Sequence, residues 1–207
     1  MIQLQGKLDR EVWVACSGGI DSMAAVNFLS RNHKVILMFF DHGTETSLEA
    51  RQFLEEGYYQ RTEYDISYNG LSIGEINRDK KPEESWEEYW RNMRYEWFHS
   101  FSVPIITCHH LDDCTETWIW SSLNGTGKII PYANRNVIRP FRLNRKAEFL
   151  NWARRKDVQW IEDSSNQDKK YMRNFIRHEI MPKALVVNPG LHTVIAKKVK
   201  QDEPQES

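Results

Sequence analysis

The run Ser17-Gly18-Gly19-Ile20-Asp21-Ser22 has the residue types needed to hold phosphate. Two glycines let the backbone turn sharply and bring its N–H groups close to an anion. Ser17 and Ser22 add hydroxyl donors. A helix expected from Asp21 onward adds the partial positive charge of its N-terminus. Asp21 is itself an anion, so its use is to hold Mg²⁺ on a triphosphate or to receive a cationic substrate. A turn that only caps a helix could carry the same residues, but here strand, loop and helix fall in register. No Gly-Lys-Ser/Thr follows, so this is not a Walker loop, and no GxGxxG is present.

A second cluster is Cys108-His109-His110-Leu111-Asp112-Asp113, with Glu116 one turn further on. Asp113 and Glu116 are three apart and Asp112 and Glu116 four apart, on one face of a helix. That face suits a metal or a substrate ammonium group. The carboxylates could instead serve only as helix caps. Zinc is disfavoured, because the Cys and His residues lie too close in sequence to converge on one ion. Arg91 and Arg94 share another helical face and suit a phosphate or a carboxylate. A basic stretch runs through Arg139, Arg142, Arg145, Lys146, Arg154, Arg155 and Lys156. It continues through Lys169, Lys170, Arg173, Arg177, His178 and Lys183. Phosphate contacts are its natural use, with Trp152, Trp160 and Tyr171 available to stack on bases.

These groups need elements to position them. Residues 11–16 and 34–40 are continuous apolar runs and read as buried strands; residues 61–66 and 103–107 are weaker candidates. Helical spacing covers 21–29, 46–59, 83–101 and Leu111–Leu123. Residues 68–81, with Gly70, Gly74 and Pro82 close by, read as a loop. Alternating strands and helices predict an α/β fold, a Rossmann-like parallel sheet with helices on both faces. Both chemical clusters then sit at carboxyl ends of strands, where such sheets bind ligands. Residues 1–140 form the expected nucleotide domain. Residues 141–190 form a basic helical extension, with helices over 143–156 and 171–182 and an extended piece at 158–161. Residues 191–207 are expected to be a partly disordered tail.

The chain has 207 residues, with 28 Lys and Arg against 29 Asp and Glu, for a net charge of -1. No overall field draws it to nucleic acid, so such binding must be local. Three cysteines without a CxxC pair argue against a disulfide framework. No apolar run is long enough to span a bilayer, and a cytoplasmic protein without membrane contact is expected. The eight tryptophans are expected mainly in the core. The oligomeric state stays open, a homodimer among the alternatives.

Taken together these residues resemble the N-type ATP pyrophosphatases, and within them the tRNA(Ile)-lysidine synthases. Ser17–Ser22 looks like the SGGxDS loop, and Asp41-His42-Gly43 like D-H-G. The run from Glu88 through Arg91 and Arg94 to Tyr95 is similar to E-x-A-R-x-x-R-Y. His109-His110-Leu-Asp112-Asp113-Cys-Thr-Glu116-Thr117 resembles H-H-x-D-D-x-x-E-T. Arg139-Pro140-Phe141, Glu162-Asp163-Ser164-Ser165-Asn166 and Tyr171-Met-Arg173-Asn174-Phe-Ile-Arg177-His178 resemble R-P-L, E-D-P-S-N and Y-x-R-N-x-I-R-H. Asn124 stands in place of an arginine in R-G-x-G, Ser164 in place of proline, and Cys114 in place of glutamine. The match runs from about Val12 to Pro189, so a minimal form without the usual C-terminal domains is expected.

The resemblance implies the adenine nucleotide alpha hydrolase-like fold and an ATP-dependent ligase. ATP with Mg²⁺ adenylates the wobble cytidine of a CAU-anticodon tRNA, and free L-lysine then displaces AMP. It implies ATP contacts from Ser17, Gly18, Gly19, Ile20, Asp21, Ser22 and His110, with Mg²⁺ on Asp21. Asp21, Asp112, Asp113, Arg91 and Arg94 are the implied catalytic residues, and Asp113 and Glu116 the implied lysine contacts. Arg139, Arg173, Asn174, Arg177 and His178 are the implied RNA contacts. The alternatives are another tRNA-modifying enzyme of the same superfamily, such as a thiolase, or a nucleotide- or RNA-binding module without turnover. Replacing Asp21 or Asp113 with alanine is expected to abolish turnover and leave the fold intact.

Overall fold

The computed structural model describes residues 1–59, 68–162 and 172–202. A six-stranded sheet has the order β3-β2-β1-β4-β6-β5. Its strands are β1 (Glu11–Ala15), β2 (Lys34–Asp41), β3 (Gly70–Glu75), β4 (Ile105–Ile106), β5 (Ala133–Asn134) and β6 (Val137–Ile138). All neighbours are parallel except β5 and β6, which form a hairpin at one edge. Side chains alternate across β1. Val12 and Val14 join the core under helices α1 (Ile20–Leu29) and α5 (Lys146–Arg155), while Trp13 and Ala15 join Phe98 of α3 (Trp86–His99) on the other face. α1 is buried over Ser22–Val26 and at Leu29 because α5 covers it: Phe28 meets Trp152 edge-on at 5.2 Å.

Residues 70–75 are a strand, not part of a loop. Gly70 to Glu75 pair in parallel register with Ile36 to Asp41. The glycines serve packing here rather than turning. A Cβ on Gly74 would fall 2.4 Å from the Trp97 ring, and one on Gly70 2.9 Å from Ile36. Small residues let β3 lie close under α3. The strand expected over 61–66 lies outside the described residues, as do Asp163–Asn166, Lys169, Lys170 and Tyr171.

Helix α4 (Leu111–Leu123) starts after β4. α6 (Met172–Phe175), a π-helical turn (Ile176–Ile180) and α7 (Met181–Val187) run on without interruption. α8 (Leu191–Gln201) follows. Where a tail was expected, Leu191, Ile195 and Val199 form a helical stripe that packs on Leu111, Cys114 and Ile119 of α4. Arg142 is fully buried and anchors the end of α8. Its Nη1 donates to Asp202 Oδ2 at 2.6 Å and to the Ile130 carbonyl at 2.8 Å. The remaining helix, α2 (Glu45–Tyr59), packs beside β2 and β3.

The tryptophans divide. Trp152 is 4% exposed, donates to Asn27 Oδ1 and carries Arg31, Arg155 and Lys156 on its ring. It therefore cannot stack on a nucleic-acid base. Trp86 and Trp120 are about half exposed, against the expectation of a core position.

Candidate functional site

The sheet order reverses between β1 and β4, whose register pairs Val14 with Ile106. Four residues beyond each partner stand Gly18 and His110. Parallel register alone therefore brings the two sequence clusters together at the crevice where this class of sheet binds ligands.

In the first loop Gly18 has a φ of +78°, a region that favours glycine. A Cβ there would also press within 3.1 Å of the Ile161 side chain. The Ile161 N–H donates to the Gly18 carbonyl at 3.0 Å, so the segment before Glu162 closes the underside of the loop. Ser22 Oγ donates to the Gly19 carbonyl at 2.9 Å and accepts the Ser17 N–H at 3.3 Å, which tightens the turn from within. The first bond of α1 runs from the Met23 N–H to the Gly19 carbonyl. The N–H groups of Ile20, Asp21 and Ser22 precede it and are the exposed end of the helix dipole.

Asp21 faces His110. Its Oδ2 lies 3.6 Å from His110 Nε2 and 3.7 Å from Lys146 Nζ. Its Oδ1 is buried with no hydrogen-bond partner. An orphaned carboxylate oxygen beside a phosphate-type loop fits a cation, so the residues present suit Mg²⁺ brought on a nucleotide. Among the described residues no three His, Cys, Asp or Glu side chains converge to hold a metal by themselves.

His110 caps α4. Its N–H donates to Asp113 Oδ2 at 2.9 Å, and the Asp113 N–H points to its Nδ1 at 3.3 Å. Burial opposes a charge on this ring. Asp113, Asp21 and Asp112 surround it and outweigh burial, so its pKa is held above the usual imidazole value. His109 behaves oppositely. Burial pushes it down to about 3, and the charges of Arg173, Arg139 and Arg94 outweigh Asp113. His42, at the end of β2, is pushed down to about 4 by burial and by Arg94.

The structure separates the other expected residues. Asp112 turns away from the loop. It accepts the Lys146 N–H at 2.8 Å and the Arg145 guanidinium at 3.2 Å, with His192 3.4 Å away. Burial raises its pKa less than these partners lower it. Asp112 thus anchors the start of α5 and with it Lys146.

Asp113 and Glu116 are brought together, as expected, but they are already occupied. Arg173 donates to Asp113 at 2.8 Å and to Glu116 at 3.2 Å; Arg177 donates to Glu116 at 2.6 Å and to Asp113 at 3.2 Å. Both guanidiniums are thus engaged by carboxylates of α4, while the Arg173 side chain stays 41% exposed. Arg139 is 3% exposed and donates to the Pro131 carbonyl and the Tyr95 hydroxyl, so it cannot reach a nucleic-acid phosphate. Asn174 is also buried, while His178 is exposed. Arg91 and Arg94 diverge around the Tyr95 ring, at 4.9 and 5.9 Å from its centroid. Arg94 turns toward His42 and His109. No carboxylate among the described residues pairs with it, and burial lowers its pKa.

Sequence patterns singled out neither Lys146 as a neighbour of Asp21 nor the orphaned Nδ1 of His42. Lys146 was one cation in a long basic stretch. The position of His42 just past a strand was the available signal.

The two depressed histidines predict acid sensitivity. An unfolded chain protonates both near pH 6.5, whereas the folded protein keeps them neutral to about pH 4 and about pH 3. Their stabilisation is full above about pH 6.5 and is lost as pH falls, by up to about 1.4 kcal/mol per ring per pH unit. Depressed Asp112 and Asp113 add a further loss below the usual carboxylate range. His110, being raised, is most stabilising in acid and loses that as pH rises through its folded value. The urea midpoint is therefore expected to drop between about pH 6.5 and about pH 4.5. An unchanged midpoint would contradict rings at 42 and 109 that stay neutral in the folded protein.

The profile of the PP-loop domain family matches residues 2–184. The tRNA(Ile)-lysidine synthase of Staphylococcus epidermidis is 34% identical over 206 residues, covering 90% of this chain and 46% of the relative. That of Thermotoga sp. (strain RQ2) is 30% identical over 203 residues, covering 91% and 48%. The chain spans about half the length of the curated relatives it matches. The solved structure of the U34-tRNA thiolase NcsA from Methanococcus maripaludis, with its [4Fe-4S] cluster, superposes with a TM-score of 0.69. It has 16% identity and covers 94% of this chain and 72% of that chain, a likeness of fold. The matched span takes in the glycine loop, the His110–Asp113 cap and the arginines of α6 and the π-helical turn alike, and on that extent the chain belongs to the PP-loop family.

Proposed function

We propose that the crevice between β1 and β4 activates a tRNA base with ATP and couples it to free lysine, as the name of its lysidine synthase relatives suggests. The observation that carries this reading is Asp21, with one carboxylate oxygen orphaned and the other between His110 and Lys146, at the mouth of a glycine loop.

The ring carbonyl oxygen of a cytidine attacks the α-phosphorus of ATP, and pyrophosphate leaves. Free N–H groups at the start of α1 and the Lys146 ammonium, swung from Asp21, neutralise the phosphates. His110, whose pKa its neighbouring carboxylates raise against burial, faces the same side through Nε2. Mg²⁺, when bound with ATP through Asp21, supplies further charge neutralisation. The lysine amine then attacks the activated ring carbon, and AMP leaves. The amine must first lose a proton, and it needs a carboxylate partner. Asp113 and Glu116 can serve only after a guanidinium yields. Arg173, with 41% of its side chain exposed against 23% for Arg177, has more room to leave.

Thiolation is less well supported by the cysteines. Burial raises the thiols of Cys16 and Cys108 and pushes Cys114 up to about 12, which suppresses the thiolate.

The test is incubation with ATP, labelled lysine and a CAU-anticodon tRNA. Acid-precipitable label should appear with one AMP per lysine. AMP release that needs a sulfur donor and ignores lysine would replace this reading with thiolation. Binding of ATP and tRNA without AMP release would leave a module without turnover.

A further inference from the structure

Of the arginines expected to meet RNA, Arg139 is buried, and Arg173 and Arg177 are paired with Asp113 and Glu116; Arg142 of the basic stretch is paired with Asp202. Two others are not. Arg91 and Arg135 are exposed, form no ion pair among the described residues, and line one groove of about 320 Å³ between α3 and the β5–β6 hairpin. We infer that this groove binds the phosphodiester backbone of the RNA substrate, leading the strand out of the catalytic crevice. The inference rests on the tRNA reading above.

The groove is pre-shaped. Asn136, in the hairpin turn, donates to the carbonyls of Phe98, Phe101 and Val103 at 2.8, 2.9 and 3.2 Å. Its Oδ1 meets His99 Nδ1 at 2.7 Å. These bonds pin the turn to the end of α3. They hold Arg135 at a φ of +52°, in the left-handed region that residues with a side chain seldom adopt. On the opposite wall Arg91 lies over the Tyr95 ring, which orients the guanidinium fork without neutralising it. The Asn134 amide adds a neutral donor, and Glu96 contributes the one acidic side chain lining the groove.

The Tyr95 ring is a shared wall. Arg94, near the same ring, is close enough for its charge to act on His42 and His109; Arg91 lines the groove with Arg135. Unpaired positive charge thus runs from the crevice to the sheet edge. A small anion needs one such charge. A row of them fits a polyanion with one base in the crevice and its neighbouring phosphates outside.

The test uses Arg135, which lies outside the proposed catalytic set. Arg135→Asn removes the charge and tolerates the left-handed backbone; Arg135→Lys keeps the charge; Arg135→Glu reverses it. Binding of the CAU-anticodon tRNA is measured by fluorescence anisotropy over a salt series, and ATP binding by calorimetry. Arg135→Asn should weaken tRNA binding about five- to tenfold and lower the log K against log salt slope by about 1. Arg135→Glu should weaken it more, Arg135→Lys should stay near wild type, and ATP affinity should not change. If the wild type binds and modifies tRNA while Arg135→Glu matches it at every salt, the groove is refuted and the function stands. If the wild type binds no tRNA, both fall. Inorganic phosphate binding through Arg135 as tightly as tRNA does would mark a small-anion site and also overturn the inference.

Discussion

Replacing Asp21 with asparagine is expected to lower kcat by about 10²–10³ and to leave the Tm almost unchanged. The side chain sits in the first turn of α1, where losing an acidic residue costs about 1 kcal/mol at most. Its Oδ1 bonds to nothing in the protein, so no internal hydrogen bond is broken there. What disappears is the charge that aligns Lys146 and helps raise the pKa of His110. AMP release under saturating ATP and tRNA, beside a thermal melt, measures both parts. Lys146→Ala should instead raise KM for ATP, because its ammonium is assigned to the phosphates. Wild-type kcat in Asp21→Asn would remove Asp21 from the site.

Glu116→Ala should cost about 3–5 kcal/mol of stability, a large share of the roughly 5–15 kcal/mol typical of a domain. Glu116 is 2% exposed and takes donors from both Arg173 and Arg177. Truncation leaves two guanidiniums on the single carboxylate of Asp113. Urea unfolding should show the loss, and the α6–α7 rod should become the first segment to lose amide protection. The contacts form one network, so Arg177→Ala should cost less in the Glu116→Ala background than alone. Strict additivity of the two substitutions would sink the network. The same geometry revises the expectation for Asp113→Ala. Asp113 accepts the His110 N–H in the cap of α4 and balances the arginines, so its loss should destabilise the fold as well as the chemistry.

Much of the fold was legible because its signals are local. Residues 11–16 and 34–40 are continuous apolar runs, and strands buried on both faces have that texture. Leu111–Leu123 shows its start in His110 to Asp113 and its stop in Asn124-Gly125. Residues 70–75 were read as a loop because glycine usually marks turns. Nothing within the segment shows that Trp97 and Ile36 leave no space for a Cβ. The apolar stripe of 191–201 is short and counts only once α4 covers it, so the packing of α8 is not legible within the segment.

The candidate site divides in the same way. The glycine loop, the helix that follows it and the His110–Asp113 cap were determined by the sequence itself, because each depends on residues a few positions apart. A PP-loop reading follows from them without coordinates. Which charges remain available was decided only by the tertiary structure. Arg173 and Arg177 meet their carboxylates across 57 to 64 residues, and Arg142 meets Asp202 across 60. A basic stretch looks the same in sequence whether its partners are internal carboxylates or external phosphates. Desolvation and pairing choose between them, and both are properties of what the fold packs around each charge. Asp21, Lys146 and Arg135 stand out because packing has paired Asp112, Asp113, Glu116, Arg142, Arg173 and Arg177 with one another or with nearby charges.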